Sequence, residues 1–123
     1  INIQSADKAA SETLLCDEIL TQLDRLNSNQ SVILKLTLPE VNNRYAPLIA
    51  HQNVLRVVAL SGGYTRPIAN QRLRQNAGMI ASFSRALLDG LSAAQTDAEF
   101  NQRLSQSIQE IYDASVAGED ASL

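Results

Sequence analysis

The chain has no tryptophan, one cysteine, one methionine and one histidine, and aromatic residues make up 4% of its 123 residues. A lone cysteine, Cys16, cannot close an internal disulfide, so a disulfide-stapled secreted scaffold is excluded and a reducing, cytoplasmic setting is expected. Cys16 falls inside a helical pattern, where a free thiol packs as a small hydrophobe. One histidine, one cysteine and scattered acids offer no zinc-ligand spacing and no Ser-His-acid constellation, so no metal is expected. There is no excess of positive charge: 10 Lys and Arg face 13 Asp and Glu, for a net charge of −3. That balance argues against nucleic acid as a general partner. No apolar run approaches the roughly 18 residues of a membrane span, so no membrane association is expected, and the start shows no signal-peptide pattern. The five glycines do not form a dinucleotide fingerprint, because "SGGYT" lacks the third glycine at its set spacing.

What is present is a composition of 45% hydrophobic and 19% charged residues, that of one folded domain with a real core. Ser5 is a candidate N-cap, and Leu15, Ile19, Leu23 and Leu26 recur at helical spacing, which predicts a helix over 6–27. The run at 31–38, between the polar turn "SNQ" and Pro39, predicts a buried strand. A short helix is expected around 43–50, with Pro47 tolerated in its first turn. His51, just after it, reads as a loop or cap residue. A second strand follows at 54–61. A helix over 66–76 is capped by Thr65, with Pro67 in its first turn. A third strand is predicted at 79–83 and a helical stretch at 84–91. "TDAE" (96–99) has the form of a capping box for a last helix carrying Phe100, Leu104, Ile108 and Ile111 or Tyr112 on one face. The tail "GEDASL" reads as frayed. Strands apolar on both faces and alternating with helices point to an α/β fold, a parallel sheet covered by helices. The first residue is Ile1, and a strand-like tip runs straight into the first helix. The expectation is therefore a single incomplete domain, 1–123, cut from something longer.

The polar residues on these strands are not scattered. Alternation places Val32, Leu34, Leu36 and Leu38 on one face of the first strand and Ile33, Lys35 and Thr37 on the other. The second face turns polar toward the C-terminal end, where parallel α/β architectures bind ligands. The second strand ends in Ser61 and opens into Gly62 and Gly63 before a helix N-terminus, where backbone N–H groups can approach an anion. The third ends in Ser82, Phe83, Ser84 and Arg85, and an arginine beside free N–H groups clamps phosphate well. Taken singly, each has a plainer reading. Lys35 can snorkel from an edge strand, "SGG" can be a turn, and Arg85 can be a surface arginine. Their coincidence at equivalent strand ends gives the functional reading its weight. A lysine on an apolar strand is expected to lose solvation in its charged form, and its neutral amine forms Schiff bases with carbonyls. Beside a phosphate clamp, the matching substrate is a phosphorylated ketone or ketose.

The stretches "ILKLTLP", "NVLRVVALSGGYTR" followed by "AN", "MIASFSRAL", and "AEF" before "IYDAS" span nearly the whole chain. In these, and in their order, the chain resembles the C-terminal part of class I fructose-bisphosphate aldolases, the Schiff-base type, in their shorter bacterial form. The resemblance implies a (β/α)8 TIM barrel, of which this chain holds strands six to eight with their helices, about three βα units. It implies Lys35 as the imine-forming lysine. It further implies Ser61, Gly62, Gly63 and Arg85 as contacts of one substrate phosphate, and Ser82 as a substrate-contacting serine. Ser84 stands where the animal enzymes often have glycine, a position that offers its backbone N–H. The implied reaction is reversible cleavage of fructose 1,6-bisphosphate to dihydroxyacetone phosphate and glyceraldehyde 3-phosphate, a lyase step of glycolysis and gluconeogenesis with no metal and no cofactor.

A complete barrel needs about 250 residues, roughly twice this chain. The family's acid–base glutamate lies on the fifth strand, ahead of Ile1, and Glu40, Asp89 and Glu99 are not candidates to replace it. Nor does Tyr112, inside a helix, match the family's terminal tyrosine; the chain ends in Leu123. The expected partners are a phosphorylated sugar and the remainder of the barrel, with a homo-oligomer open, and the piece alone is expected to be inactive. Two rivals stand. One is another Schiff-base barrel, transaldolase-like or deoxyribose-phosphate aldolase-like. The other is a non-enzymatic α/β interaction module in which Lys35 is exposed to solvent.

Overall fold

A computed structural model describes residues 1–121, with side chains as far as Ala117. The elements run α1 (Lys8–Leu23), β1 (Val32–Thr37), α2 (Ala46–Ile49), β2 (Val54–Leu60), α3 (Arg66–Arg74), β3 (Met79–Ser82), α4 (Ser84–Leu88) and α5 (Asp97–Ala121). This is the order that the hydrophobic pattern predicts, with helices trimmed at their ends. The three strands form one parallel sheet in the spatial order β1-β2-β3, so both β1 and β3 are edges among the described residues. The architecture is α/β and compatible with part of a barrel.

Local chemistry accounts for most boundaries. Thr65 is the N-cap residue of α3 in extended conformation, and Pro67 sits in the first turn, where its missing N–H costs nothing. Thr96 caps α5, its Oγ1 accepting the N–H of Glu99 at 3.2 Å. The first helix differs from expectation. Ser5 spends its Oγ on the N–H of Asp7 and its carbonyl on the N–H of Lys8, forming a turn that delays helix entry, so Asp7 takes the N-cap position. At the other end α5 continues to Ala121 instead of fraying at Gly118, and the last two residues of the tail lie outside the described residues.

The sheet is covered on one face only, whereas the apolar strands predict cover on both. Val57, Ala59 and Met79 on the covered face are 1%, 0% and 0% exposed, and they join Leu38, Leu48, Leu73, Phe83 and Ala114 in the core. Opposite them Ile33 is 56% exposed, and Lys35 and Arg56 are exposed too. The apolar residues of this second face therefore lie open, with no helix over them among the described residues. On α5 the packed face runs through Phe100, Leu104, Ser107, Ile111 and Ala114, alternating steps of four and three. Ile108 and Tyr112 fall outside that stripe and are 51% and 61% exposed, contrary to the predicted face. They line an apolar groove with Ile80, Phe83 and Leu87 along the β3 edge. A second apolar groove, lined by Ile19, Leu23, Leu26, Val32 and Leu34, follows the β1 edge. No helix among the described residues is long and apolar enough to cross a membrane.

Candidate functional site

Register fixes which side chains can meet. Lys35 pairs with Val58, and Val58 with Ile80; one pleat further on, Thr37 pairs with Leu60, and Leu60 with Ser82. Residues in one row of a parallel sheet point to the same side, so Lys35, Thr37, Leu60, Ile80 and Ser82 share the open face. With strands about 4.8 Å apart, Lys35 and the end of β3 are separated by roughly 10 Å across the sheet. Two strand-borne polar groups singled out from the sequence, Lys35 and Ser82, thus stand on one surface near its C-terminal edge. Lys35 is exposed rather than buried. The correction has a simple cause: the face that carries it lacks a covering layer.

The glycine turn forms at the end of the central strand. The Tyr64 N–H donates to the Ser61 carbonyl at 3.0 Å, closing a four-residue turn with Gly62 at φ 65° and Gly63 at φ 105°. Both central residues need positive φ, which L side chains resist. A Cβ at Gly62 would also collide with Thr37 Cγ2, and Ile3 packs across the turn, its Cδ1 3.3 Å from where a Gly63 Cβ would stand. Ser61 is buried beneath the turn.

Arg85 is exposed on the five-residue α4 and lines a cleft of about 260 Å³ together with Gly63, Tyr64, Thr65, Ala86 and Asp89. The structure therefore brings Gly63 of the glycine turn and Arg85 to one cleft, which Ser61 and Gly62 do not line. Lys35 lies on the adjoining open face, outside that cleft. His51 sits after α2 as expected, its Nε2 3.0 Å from Asp24 Oδ1, away from the strand C-termini.

Two polar clusters escaped sequence reasoning. Lys8 and Glu12 are 2% and 1% exposed. Lys8 Nζ donates to Glu12 Oε2 at 2.9 Å and to the Leu38 carbonyl at 2.7 Å, while Glu12 Oε1 accepts the Glu40 N–H at 2.8 Å. Glu40 Oε2 lies 3.6 Å from Arg72 Nη2, and the Arg72 guanidinium stacks 4.6 Å from the Tyr64 ring centroid. An i,i+4 Lys–Glu pair ordinarily reads as a solvated helix face. The available signal was positional: the buried stripe of α1, extended back from Leu23 and Cys16 in helical steps, lands on Glu12 and Lys8. Burial, reinforced by the Glu12 carboxylate, raises the Tyr45 phenol well above its ordinary value, so it remains a neutral donor. Burial likewise raises the Cys16 thiol, with Asp17 adding to the effect and Arg44 opposing it. The second cluster centres on Arg66, which donates to the Asp89 carbonyl at 2.6 Å and the Ala86 carbonyl at 3.4 Å, with Glu110 Oε2 3.3 Å from its Nε.

No family model matches the chain. Curated proteins do. Over 116 residues, 94% of the chain, it is 56% identical to a protein of Synechocystis sp. named fructose-bisphosphate aldolase class 1. Proteins of the same name from Porphyromonas gingivalis and Clostridium acetobutylicum are each 52% identical over the same length. The chain's relatives are class 1 fructose-bisphosphate aldolases. It spans 39% of the length of each of these three aldolases. At more than half identity over 94% of the chain, the resemblance seen in the lysine, glycine-turn and arginine stretches extends to the elements between them.

Proposed function

We propose that the chain forms three consecutive βα units, the sixth to eighth, of a (β/α)8 class I fructose-bisphosphate aldolase, and that the complete barrel cleaves fructose 1,6-bisphosphate through an imine on Lys35. The observation that carries this reading is the placement of Lys35 and Ser82 on one uncovered sheet face, beside a cleft lined by Gly63 and Arg85. In a barrel that face is the interior. The remaining strands would pair with the β1 and β3 edges and fill the apolar grooves beside them. Closing the face would shield the lysine amine, the nucleophile of imine formation, from bulk water.

The chemistry then follows. The Lys35 amine adds to the ketone carbon and water leaves, giving a protonated imine. When the bond between the carbon next to the imine carbon and the hydroxyl-bearing carbon beyond it breaks, its electron pair flows into the imine to form an enamine, and the hydroxyl proton of the departing aldehyde goes to a base elsewhere in the barrel. Protonation of the enamine and hydrolysis release the ketone product and regenerate the amine. Ser61, Gly62, Gly63 and Arg85 hold one phosphate, fixing the carbonyl over Lys35, and Ser82 touches the substrate between them.

The exposure of Lys35 also fits a non-enzymatic α/β module. Borohydride trapping separates the two. When the full-length enzyme carrying this chain is treated with dihydroxyacetone phosphate and borohydride, the adduct is expected on Lys35, and Lys35→Met should abolish it. A label elsewhere, or none, overturns the imine mechanism.

A further inference from the structure

We propose that Arg66 is a positioning residue that sets the spacing between the glycine turn and Arg85, and through it the affinity for the substrate phosphate; this rests on the phosphate-site reading above. The two halves of the cleft belong to different βα units. The turn at 61–64 leads into α3, whereas Arg85 rides on α4, a helix of five residues. A helix that short does not hold itself in place, since isolated helices under about 12 residues are marginal. It also ends abruptly: Asp89 at its C-cap is extended and Gly90 has φ 86°, so the helix cannot continue, and its end is held by the Asp89 N–H on the Ala86 carbonyl at 3.3 Å and the Leu91 N–H on the Leu88 carbonyl at 3.1 Å.

Arg66 adds side-chain donors from another element to this end. As the first residue of α3 it is separated from the glycine turn only by Thr65, and its side chain is 12% exposed. One Nη1 reaches two carbonyls of the α4 end, Asp89 at 2.6 Å and Ala86 at 3.4 Å, while Nε faces Glu110 on α5 at 3.3 Å. A planar guanidinium fork can meet acceptors from two helices at fixed angles, and a lysine ammonium cannot. Arg85 lies one residue before the bonded Ala86, and Ala86 and Asp89 line the cleft alongside Gly63 and Arg85. Arg66 therefore ties the element carrying the candidate phosphate arginine to the element carrying the candidate phosphate turn, without lining the cleft itself.

The test compares imine trapping by dihydroxyacetone phosphate with trapping by dihydroxyacetone, which lacks the phosphate, in the full-length enzyme carrying this chain. Arg66→Met should raise the half-saturating concentration of the phosphorylated ketone about tenfold, the scale of a small misplacement of a binding group, and leave that of the plain ketone unchanged. Arg66→Lys, which keeps the charge but loses the fork, should fold and show a smaller loss of the same selective kind. Arg85→Ala serves as the reference for the site. If Arg85→Ala is selective for the phosphorylated ketone and neither Arg66 variant is, Arg66 positions nothing and the site reading stands. Equal losses for both ketones in the two Arg66 variants would mean general destabilisation and overturn the proposal. If Arg85→Ala itself fails to discriminate, the phosphate site is misassigned and the inference falls with it.

Discussion

At Gly62 two independent constraints fall on one residue. Its φ of 65° costs an L side chain about 1–2 kcal/mol, and the missing Cβ leaves room for Thr37 Cγ2 from the neighbouring strand. Gly62→Ala is accordingly expected to destabilise the full-length enzyme by about 1–3 kcal/mol, read as a lower urea midpoint. It should also weaken trapping by dihydroxyacetone phosphate, because the turn must shift to relieve the collision. Unchanged stability would show that the turn relaxes freely. Gly63 is less constrained sterically, since its nearest neighbour is the flexible end of Ile3 at 3.3 Å. Arg85 is different again: its side chain is exposed, so its loss should leave stability nearly untouched.

Among the elements, α1 is fastened to the sheet by charge rather than by grease at its N-terminal end. Lys8 binds both Glu12 and the carbonyl of Leu38, and Glu12 in turn holds the N–H of Glu40 just past the end of β1. Lys8→Met should cost about 3–5 kcal/mol, because it strands the Glu12 carboxylate in a buried site. The paired change Lys8→Met with Glu12→Leu should recover much of that loss in the same denaturation experiment. A double variant no more stable than Lys8→Met alone would show that the stranded charge is not the cause. The pair also marks the boundary of what pattern reading can reach. Alternation in Val32, Leu34, Leu36 and Leu38 announced β1 and its packed face, and Thr65 with Pro67 announced the start of α3. Each of those signals is local, set by a few neighbouring residues. Whether Lys8 is buried, or Lys35 exposed, depends on what packs above it, and no local period encodes that. Arg66 was invisible for the same reason: its partners lie 20 to 44 residues further along the chain. For the candidate site, the glycine turn was legible, and so was the strand face on which Lys35 stands. The open face was not, because an apolar strand reads the same whether its second side is covered by a helix or by other strands of a barrel.

For the molecule as a whole, the open face and the two free edges make one statement. A three-stranded sheet with Ile33 56% exposed on its open face, both edges unpaired among the described residues, and an apolar groove beside each edge has apolar surface left uncovered. The 123-residue chain on its own should self-associate, giving light-scattering masses above the monomer that grow with concentration. A sharp monomeric two-state unfolding transition would count against this. The same uncovered surface is why a lysine conspicuous in an apolar run sits in water here.

The spatial order of the strands is also their order along the chain, and this bears on how the unit is assembled in time. Each strand after β1 pairs with a neighbour about 22 residues back, so pairing closes one crossover containing a single helix and needs no search across the molecule. Emerging from the ribosome, β1 and β2 can join before β3 exists, and β3 then adds to a finished edge. The last helix, α5, reaches back over α3 and β3 and arrives once both are in place. The layout thus allows the sheet to grow in one direction, each added strand forming the new edge.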